Sequence, residues 1–470
     1  MAEKEEPVAP CEICKHSLIE FGDEIKVIMA NTRGDAEIAT VAELLPWGFK
    51  RDHLDVRRYK YQRCIRVSLW SCLFRKYWDM IIMNRFNVTY LAFDQFVPSK
   101  HAGFVHSYSI AKAIKSIGND VVLYGIPTGV DLYNLTRWSG EYHGLNVNYV
   151  RFIVSFKSKY RPLYPLNIIS YYKTLKNLKD QDPDIVHERF HLPNPFSAKL
   201  FERLDCPKVL EINNLYVGCG VYGGRDEKKA QEQQKKHFDQ SDAIITQTRT
   251  LKDMIGEVID KPIYVVPNGV DTKKFDPGHS SEELRKKLGL EEDQIVVTFL
   301  GSFRKWHGAQ FISKMADLLK DKKVVFLLIG GGELFDEIDR GRRENMILTG
   351  PMEYDAVPKY LASSDILIAP FDINYFGDRD FWWNPVKLFE YMASGKPVVS
   401  YDLFEIRQIV RDAGLLAEAG KIDDFIKNID CLVEDENLRR RLGSRGREIA
   451  LNEYDWEKRA RDVVKIYQTL

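Results

Sequence analysis

The stretch NVTYLAFDQFVPSKHAGFVHSYSIAKAIKSIGNDVVLY, residues 87–124, contains one complete structural unit. Its first seven residues form an apolar run that is typical of a strand, and its last four residues form another. Between them lie a polar loop over Asp94–Gly103 and a segment with apolar residues at helical spacing, which Gly118 ends. Strand, loop, helix and strand in this order predict the βαβ unit of a parallel sheet.

A second series of such units begins near Ile295. We expect strands at Ile295–Leu300, Val324–Ile329, Met346–Leu348, Ile366–Ala369 and Pro397–Ser400. We expect helices between them, around Gln310–Leu319, Leu334–Asp339, Asp355–Ala362 and Val386–Ala393, and a last helix over Tyr454–Leu470. Two consecutive α/β series predict two doubly wound parallel sheets with a cleft between the carboxyl ends of their strands.

The composition is that of an ordinary globular protein. Of the 470 residues, 44% are hydrophobic and 29% are charged, which excludes a disordered or fibrous chain. Lys plus Arg and Asp plus Glu number 68 each, so the balanced charge predicts no nucleic-acid partner. The acidic start MAEKEEP does not resemble a signal peptide, and no apolar run approaches the roughly 20 residues that span a bilayer. We therefore expect a cytoplasmic protein.

The seven cysteines agree with a reducing compartment. Cys11 and Cys14 form the one close pair, and His16 and His53 would complete a zinc site with them. The alternative, two reduced thiols near a terminus, needs no second pair of ligands. We predict two reduced thiols and no bound metal.

Residues 1–85 differ from the rest of the chain. We expect a strand at Glu24–Met29 and a helix around Ile38–Leu45. The segment 57–85 carries eight basic residues, interleaved with aromatic residues, and one acid. The segment 151–179 carries seven basic residues and no acid. Both segments suit an anionic membrane surface at the inner face of the membrane. The alternatives are a helix packed on the main body with a solvated basic rim for 57–85, and a basic surface loop followed by a solvated helix for 151–179.

Several motifs resemble the retaining glycosyltransferases of family 4, which have the GT-B fold of two Rossmann-like domains. The motifs, in chain order, are VVPNGVDTKKF (265–275), GSF (301–303), GGG (330–332), YLASSDILIAP (360–370), NPVKLFEYMASGKPVV (384–399) and YDWEKRARDVVKIY (454–467). The first and the fifth motif are specific, whereas the glycine runs alone would be weak.

The resemblance extends from Asn87 to the end and implies a domain organisation. Residues 1–85 would be an N-terminal extension, 86–266 a Rossmann-like acceptor domain, 267–453 a Rossmann-like nucleotide-sugar domain, and 454–470 a helix crossing back to the first domain. The implied activity is retaining transfer of a hexose from a nucleotide-diphosphate sugar to a glycan, a lipid-linked or a small-molecule acceptor, with no cofactor. A sugar-nucleotide epimerase and a non-catalytic nucleotide-sugar binding scaffold are the alternatives.

In the second domain, the resemblance assigns the ribose hydroxyls of the donor to Glu390. Lys387 lies three residues earlier on the same helical face, where it can reach the diphosphate or the sugar. The remaining candidates for donor binding are Gly301, Ser302, Arg304, Lys305, His307 and Leu388. Among the basic residues of the turn we favour Arg304, because a guanidinium binds phosphate through a planar fork. We find no convincing Asp-x-Asp metal site after a strand and expect transfer without a metal.

In the first domain, the strand that ends at Asn213 should point into the cleft. Asn213 stands where the family often has a histidine that contacts the sugar, and Glu211 is notable because a carboxylate within an apolar strand needs a partner. We take both, with Arg304, as catalytic candidates. Further candidates for the acceptor or the cleft are His101, Gly103, His187, Arg189 and Trp382. Trp382 stands where the family usually has a second glutamate that contacts the donor sugar.

Overall fold

The structure is a computed structural model, which describes residues 26–30, 36–40, 85–99, 101–128, 139–150, 165–190, 197–214, 227–376 and 381–470. The chain forms two compact units, Met1–Ile81 and Ile82–Leu470. Within the first unit, β1 (Lys26–Ala30) pairs with β2 (Ala36–Thr40) in antiparallel register. The helix expected from Ile38 is therefore wrong at its start, because Ile38 pairs with Ile28 in this hairpin. The cysteine pair at 11 and 14 and the basic segment 57–84 lie outside the described residues.

The first sheet of the larger unit has eight strands. They are β3 (Asn87–Val97), β4 (Asp120–Pro127), β5 (Ser139–Tyr142), β6 (Leu145–Tyr149), β7 (Ile185–Arg189), β8 (Lys208–Ile212), β9 (Ala243–Thr246) and β10 (Ile263–Val265). Their spatial order is β10-β9-β8-β7-β3-β4-β6-β5. All neighbours are parallel except β5, which forms an antiparallel hairpin with β6.

Helices connect these strands. They are α1 (Ala102–Ser116), α2 (Pro165–Gln181), α3 (Ser197–Phe201), α4 (Glu227–Gln240) and α5 (Arg249–Gly256). Strand β3 extends to Val97, four residues beyond the predicted apolar run, after a register shift between Leu91 and Phe96. The polar loop that was expected over Asp94–Gly103 is therefore shorter than predicted.

The second sheet has six parallel strands in the order β13-β12-β11-β14-β15-β16. They are β11 (Ile295–Leu300), β12 (Val324–Ile329), β13 (Met346–Gly350), β14 (Ile366–Ala369), β15 (Val398–Tyr401) and β16 (Gly414–Ala417). All six residues of β12 are buried, as expected for a parallel strand that is covered on both faces. The two sheets confirm the predicted α/β class with two doubly wound domains.

Helices also flank the second sheet. They are α6 (Glu282–Lys287), α7 (Ile312–Leu318), α8 (Phe335–Arg340), α9 (Val357–Ala362), α10 (Val386–Ala393), α11 (Phe404–Val410), α12 (Ile422–Glu434) and α13 (Glu436–Ile449). Short 3₁₀ turns lie at Lys305–His307, Ala309–Phe311 and Ile373–Phe376. Of the described helices, none is long and apolar enough to cross a membrane.

The last helix, α14 (Trp456–Tyr467), follows a π-helical turn at Ala450–Tyr454 and packs against α1 of the first domain. A single cluster of buried apolar side chains runs from Leu91 and Phe190 in the first domain to Phe381 and Leu388 in the second. The two domains are therefore joined by shared apolar packing as well as by the chain itself.

Candidate active site

Helix α10 brings two charged side chains into the interior of the second domain. It begins after Pro385, whose fixed backbone angle suits a helix start, and its apolar face packs on the sheet. Glu390 is 4% exposed and Lys387 is 8% exposed. Charged groups at this depth are costly unless they are partnered or used, so both are candidates for ligand binding.

Glu390 is held by a tyrosine from a neighbouring loop. The Tyr354 hydroxyl donates a hydrogen bond of 2.6 Å to Glu390 Oε1. Among the described residues, no hydrogen bond to Glu390 Oε2 is formed. Burial raises the pKa of the Glu390 carboxyl to about 6, although the hydrogen bond from Tyr354 acts in the opposite direction. One carboxylate oxygen is thus fixed by the protein, and the other can accept ligand hydroxyls.

The amine of Lys387 is buried without a hydrogen-bond partner. Its Nζ lies 4.5 Å from the ring centre of Phe299 and 5.5 Å from that of Phe371. Burial lowers the pKa of this amine to about 7, although the nearby Glu390 carboxylate acts in the opposite direction. A buried amine without a hydrogen-bond acceptor is an available site for an anion.

Gly301, which follows β11, makes room for this amine. Its φ is +152°, and a Cβ placed on it would lie 2.7 Å from Lys387 Nζ. The turn after β11 and the start of α10 therefore meet at Lys387, which brings two of the predicted donor-binding segments together.

The rest of the turn divides into buried and exposed groups. His307 Nδ1 donates to the Ser302 carbonyl at 2.7 Å, and burial lowers the pKa of its ring to about 3. His307 is therefore neutral and orders the turn rather than adding positive charge.

The two basic residues of the turn lie at the surface. Arg304 is 52% exposed, and its guanidinium lies 3.6 Å from Glu333. Lys305 is exposed beside it and donates its backbone N–H to Glu333. Leu388 is a core residue with no exposed surface.

Glu211 lies in a buried polar network in the middle of the first domain. Its Oε1 lies 2.6 Å from His106 Nε2 and accepts from Gln247 at 2.9 Å. Its Oε2 accepts from the Tyr90 hydroxyl at 2.8 Å and lies 3.3 Å from His187 Nε2. Burial alone would raise the pKa of Glu211, but the two histidines hold it well below its usual value. Both oxygens are therefore occupied by protein groups.

The same network also contacts Asn268, in the connection between the domains, and Tyr467 of the last helix. His106 Nδ1 lies 2.5 Å from Asn268 Oδ1, and Asn268 Nδ2 donates to the Asn384 carbonyl, which fixes Oδ1 as the acceptor. His106 therefore bridges Asn268 and Glu211, with Nδ1 donating to the first and Nε2 lying against the second. His187, which has no exposed surface, contacts the Tyr467 hydroxyl of α14 at 2.6 Å. These placements give Glu211 and His187 a structural task in joining the domains.

The other first-domain candidates lie at the carboxyl ends of strands. Arg189 ends β7 and lies 3.7 Å from Asp94 of β3. Asn213 directly follows β8 and is half-buried. His101 precedes α1 at its exposed N-cap position, and a Cβ on Gly103 would lie 2.6 Å from the Gln95 side chain.

Trp382 is buried where the two domains meet and connects them. It is 6% exposed, and its indole Nε1 donates to Asn214 Oδ1 at 3.0 Å. Its carbonyl accepts from Thr248 at 2.8 Å. Sequence reasoning missed this clamp and also missed Tyr354. No local signal marks either contact, because the partners are 168 and 36 residues apart in the chain.

A cavity of about 810 Å³ lies between the domains. Its first-domain wall includes Phe104, Tyr108 and Tyr142, and its second-domain wall includes Tyr354. The described residues contain no cluster of His, Cys, Asp and Glu with the arrangement of a metal site.

Comparison with known families identifies the chain. Residues 280–449 match the model for glycosyl transferases group 1, and residues 104–274 match the model for glycosyltransferase family 4. The two matches together cover more than two thirds of the chain. The protein belongs to the group 1 glycosyltransferases of GT-B fold, enzymes that use nucleotide-sugar donors.

Individual relatives agree with this assignment. An uncharacterized glycosyltransferase of Methanocaldococcus jannaschii is 26% identical over 311 residues, which are 64% of this chain and 80% of that protein. Among solved structures, sucrose-phosphate synthase of Thermosynechococcus elongatus superposes with a TM-score of 0.66 at 14% identity, covering 81% of this chain and 98% of that one. Anabaena HepE in complex with UDP-glucose gives a TM-score of 0.63 at 16% identity, and the superposition covers 82% of this chain and 100% of that one.

Proposed function

We propose that this protein is a retaining glycosyltransferase that transfers a hexose from a nucleotide-diphosphate sugar to a glycan, lipid-linked or small-molecule acceptor without a metal ion. The observation that carries the proposal is the cluster of Glu390, Lys387 and Gly301 in the second domain. In this cluster, the buried Glu390 carboxylate lies one helical turn from the Lys387 amine, which has no hydrogen-bond partner. This spacing supports a site that binds ribose hydroxyls through Glu390 and the diphosphate through Lys387.

The roles of the surrounding groups follow from the charge that develops during transfer. The leaving diphosphate gains negative charge, which Lys387 stabilises from within the site and Arg304 and Lys305 from its rim. These cations act in place of a metal ion. Uridine is the base that we propose to test first, because the HepE neighbour was solved with UDP-glucose.

The acceptor faces the first domain in this proposal. Asn213 and Arg189 lie at the carboxyl ends of adjacent strands, where ligands bind in doubly wound folds. We propose that Asn213 binds a hydroxyl of the sugar or the acceptor, since an amide both donates and accepts. His101 and Gly103 border the same edge through the loop after β3.

Donor hydrolysis and transfer test the proposal directly. The full chain is incubated with UDP-, GDP- and ADP-hexoses, with and without glycan and lipid-linked acceptors, and free nucleoside diphosphate is measured in the presence of EDTA. We expect release from one donor, stimulated by an acceptor, with an α-linked product from an α-linked donor by NMR. Tight nucleotide binding without turnover of any donor would contradict it and favour a binding scaffold. An inverted product would contradict retention alone.

We also infer that the basic segments 57–85 and 151–179 contact an anionic membrane surface. The described part of the second segment supports this, since Ile168, Ile169 and Tyr172 of α2 are 53%, 62% and 64% exposed. Lys176 and Lys179 of the same helix are also exposed. Exposed apolar side chains with lysines on one helix match the interface of an anionic bilayer.

Vesicle co-sedimentation tests the membrane contact. We expect binding to vesicles of phosphatidylcholine with phosphatidylglycerol, weaker binding to phosphatidylcholine alone, and a loss of binding in Ile169→Glu. Leu318→Glu, at a position that is 57% exposed in the second domain, serves as the matched control. Equal sedimentation of both variants, or no dependence on anionic lipid, would contradict the contact.

A further inference from the structure

Tyr354 is in direct contact with the carboxylate on which the proposed nucleotide site depends. Its hydroxyl donates to Glu390 Oε1 at 2.6 Å, and its ring belongs to a loop between β13 and α9. Two strands of the sheet, β12 and β11, separate β13 from β14, after which the chain continues towards α10. The contact therefore joins the loop after β13 to helix α10, two parts of the domain that are separate in the chain.

The tyrosine ring is itself fixed by the segment between the domains. Lys274 Nζ lies 3.9 Å from the ring centre of Tyr354 and forms a 2.6 Å ion pair with Asp355. The ring of Phe275, which has no exposed surface, packs at 5.7 Å on the same tyrosine. A ring held in this way has little rotational freedom, so its hydroxyl stays directed at Glu390.

Tyr354 keeps its proton throughout the working pH range. Burial, and then the charge of Glu390, raise the pKa of its hydroxyl well above the usual value. The hydroxyl is thus a permanent donor, and a carboxylate accepts a hydrogen bond better when it is ionised. The charged groups around Glu390 are Lys387 on its own helix and Lys274 on the interdomain segment, and both also favour the ionised form.

We propose that Tyr354 is a positioning residue of the nucleotide site, which holds Glu390 in the orientation and charge state in which Oε2 accepts ribose hydroxyls. This inference rests on the proposed function, because it concerns how the same carboxylate binds the donor. Tyr354 acts through Glu390, whereas Glu390 touches the ligand.

The chemistry predicts a specific effect of removing one hydroxyl. In Tyr354→Phe the ring and its packing remain, but the hydrogen bond that stabilises the ionised carboxylate is lost. The pKa of Glu390, already about 6 because of burial, then moves higher. Since the ionised form binds the ribose, the pH below which nucleotide affinity falls moves upward in the variant.

Calorimetric titration with UDP from pH 5 to pH 8 tests the inference, with GDP and ADP titrated in parallel. For the wild type we expect affinity to fall on the acid side near the pKa of Glu390, and for Tyr354→Phe at a higher pH. At pH 6.5 the variant should bind several-fold more weakly, because a larger fraction of its Glu390 is protonated there. Tyr360→Phe on α9 makes the same chemical change in the same domain and should leave the profile unchanged.

A second probe separates positioning from general destabilisation. The wild type should prefer UDP over 2′-deoxy-UDP, and Tyr354→Phe should lose part of that preference, whereas a merely structural defect would weaken both nucleotides equally. An unchanged pH profile together with an unchanged preference would overturn the inference and leave the proposed function standing. Absence of binding to all three nucleotides by the wild type would overturn the proposed function and this inference with it.

Discussion

At the scale of single residues, the donor-binding turn of the second domain depends on the close contact between Gly301 and the Lys387 amine. The buried amine of Lys387 occupies the space that a side chain on residue 301 would need, and Gly301 adopts a φ of +152° that favours glycine. The donor-binding turn thus requires a specific residue for a steric reason, which is independent of any direct contact between Gly301 and the ligand.

We expect Gly301→Ala to displace Lys387 and to strain the backbone. Strain of this kind costs about 1–3 kcal/mol, and the displaced amine should weaken nucleotide binding further. Thermal unfolding and calorimetry with UDP measure the two effects. Gly289→Ala, also at positive φ but with open space around the Cβ, is the control for backbone strain alone. Equal loss of nucleotide affinity in both variants would contradict the steric explanation.

The charge of Lys387 should limit nucleotide binding on the alkaline side. Burial lowers the pKa of its amine to about 7, so the amine is charged below that pH and increasingly neutral above it. Affinity for the diphosphate should therefore decline as the pH rises through about 7. In Lys387→Met this alkaline decline in nucleotide affinity should be absent. Affinity of the wild type that is constant from pH 6 to pH 9 would contradict this role.

At the scale of secondary-structure elements, the two most specific motifs of the sequence bind each other. The Asn268 backbone N–H donates to Asn384 Oδ1 at 2.6 Å, and its side chain donates to the Asn384 carbonyl. Asn268 also accepts from His106, which pairs with Glu211 in β8. His106 and Asn268 thereby link the connection between the domains, the start of α10 and the first sheet.

Glu211→Gln should destabilise the first domain strongly. The substitution keeps the volume but removes the carboxylate charge at the centre of the buried network. Removing one charged member of such a network costs about 3–5 kcal/mol. Because the pKa of Glu211 is lowered in the folded protein, its stabilisation is complete above the usual carboxyl range and is lost as the pH falls through the lowered value. Thermal unfolding across acid pH measures both, with the exposed Glu141→Gln of β5 as the control. Equal unfolding temperatures of the two variants would contradict the account.

The elements themselves were largely predictable. The strands at Ile295–Leu300 and Ile366–Ala369 were expected at the observed bounds, because continuous apolar runs between turn signals can form buried parallel strands. The failures have local causes. The helix predicted from Ile38 starts within the hairpin strand β2, and β3 continues beyond its apolar run because a register shift carries Phe96 and Val97 into the ladder.

At the scale of the whole molecule, the candidate site was predictable only in part. Glu390, Lys387 and Gly301 are close in space, as the motifs indicated. Tyr354 and the Trp382 clamp depend on how separate loops pack, which no residue spacing encodes. The buried position of Glu211 follows from its place in a central strand, but its four partners come from four other parts of the chain.

The Trp382 clamp should contribute to holding the domains together. Trp382→Phe and Asn214→Ala each remove the indole hydrogen bond, so the double variant should lose less stability than the sum of the single variants. The coupling should be about 0.5–1.5 kcal/mol, as for one intramolecular hydrogen bond. Thermal unfolding of the four proteins in this cycle measures it. Strictly additive losses would show that the two side chains act independently.

The central claim is that the cluster on α10 binds the nucleotide of the donor, and calorimetry tests it most directly. The wild type, Glu390→Ala and Glu405→Ala are titrated with UDP, GDP and ADP; Glu405 is equally buried in the same domain but accepts from Thr250. The account predicts micromolar binding of one nucleotide by the wild type and by Glu405→Ala, and its loss in Glu390→Ala. Binding that survives Glu390→Ala would contradict the site, and no binding by the wild type would contradict the function.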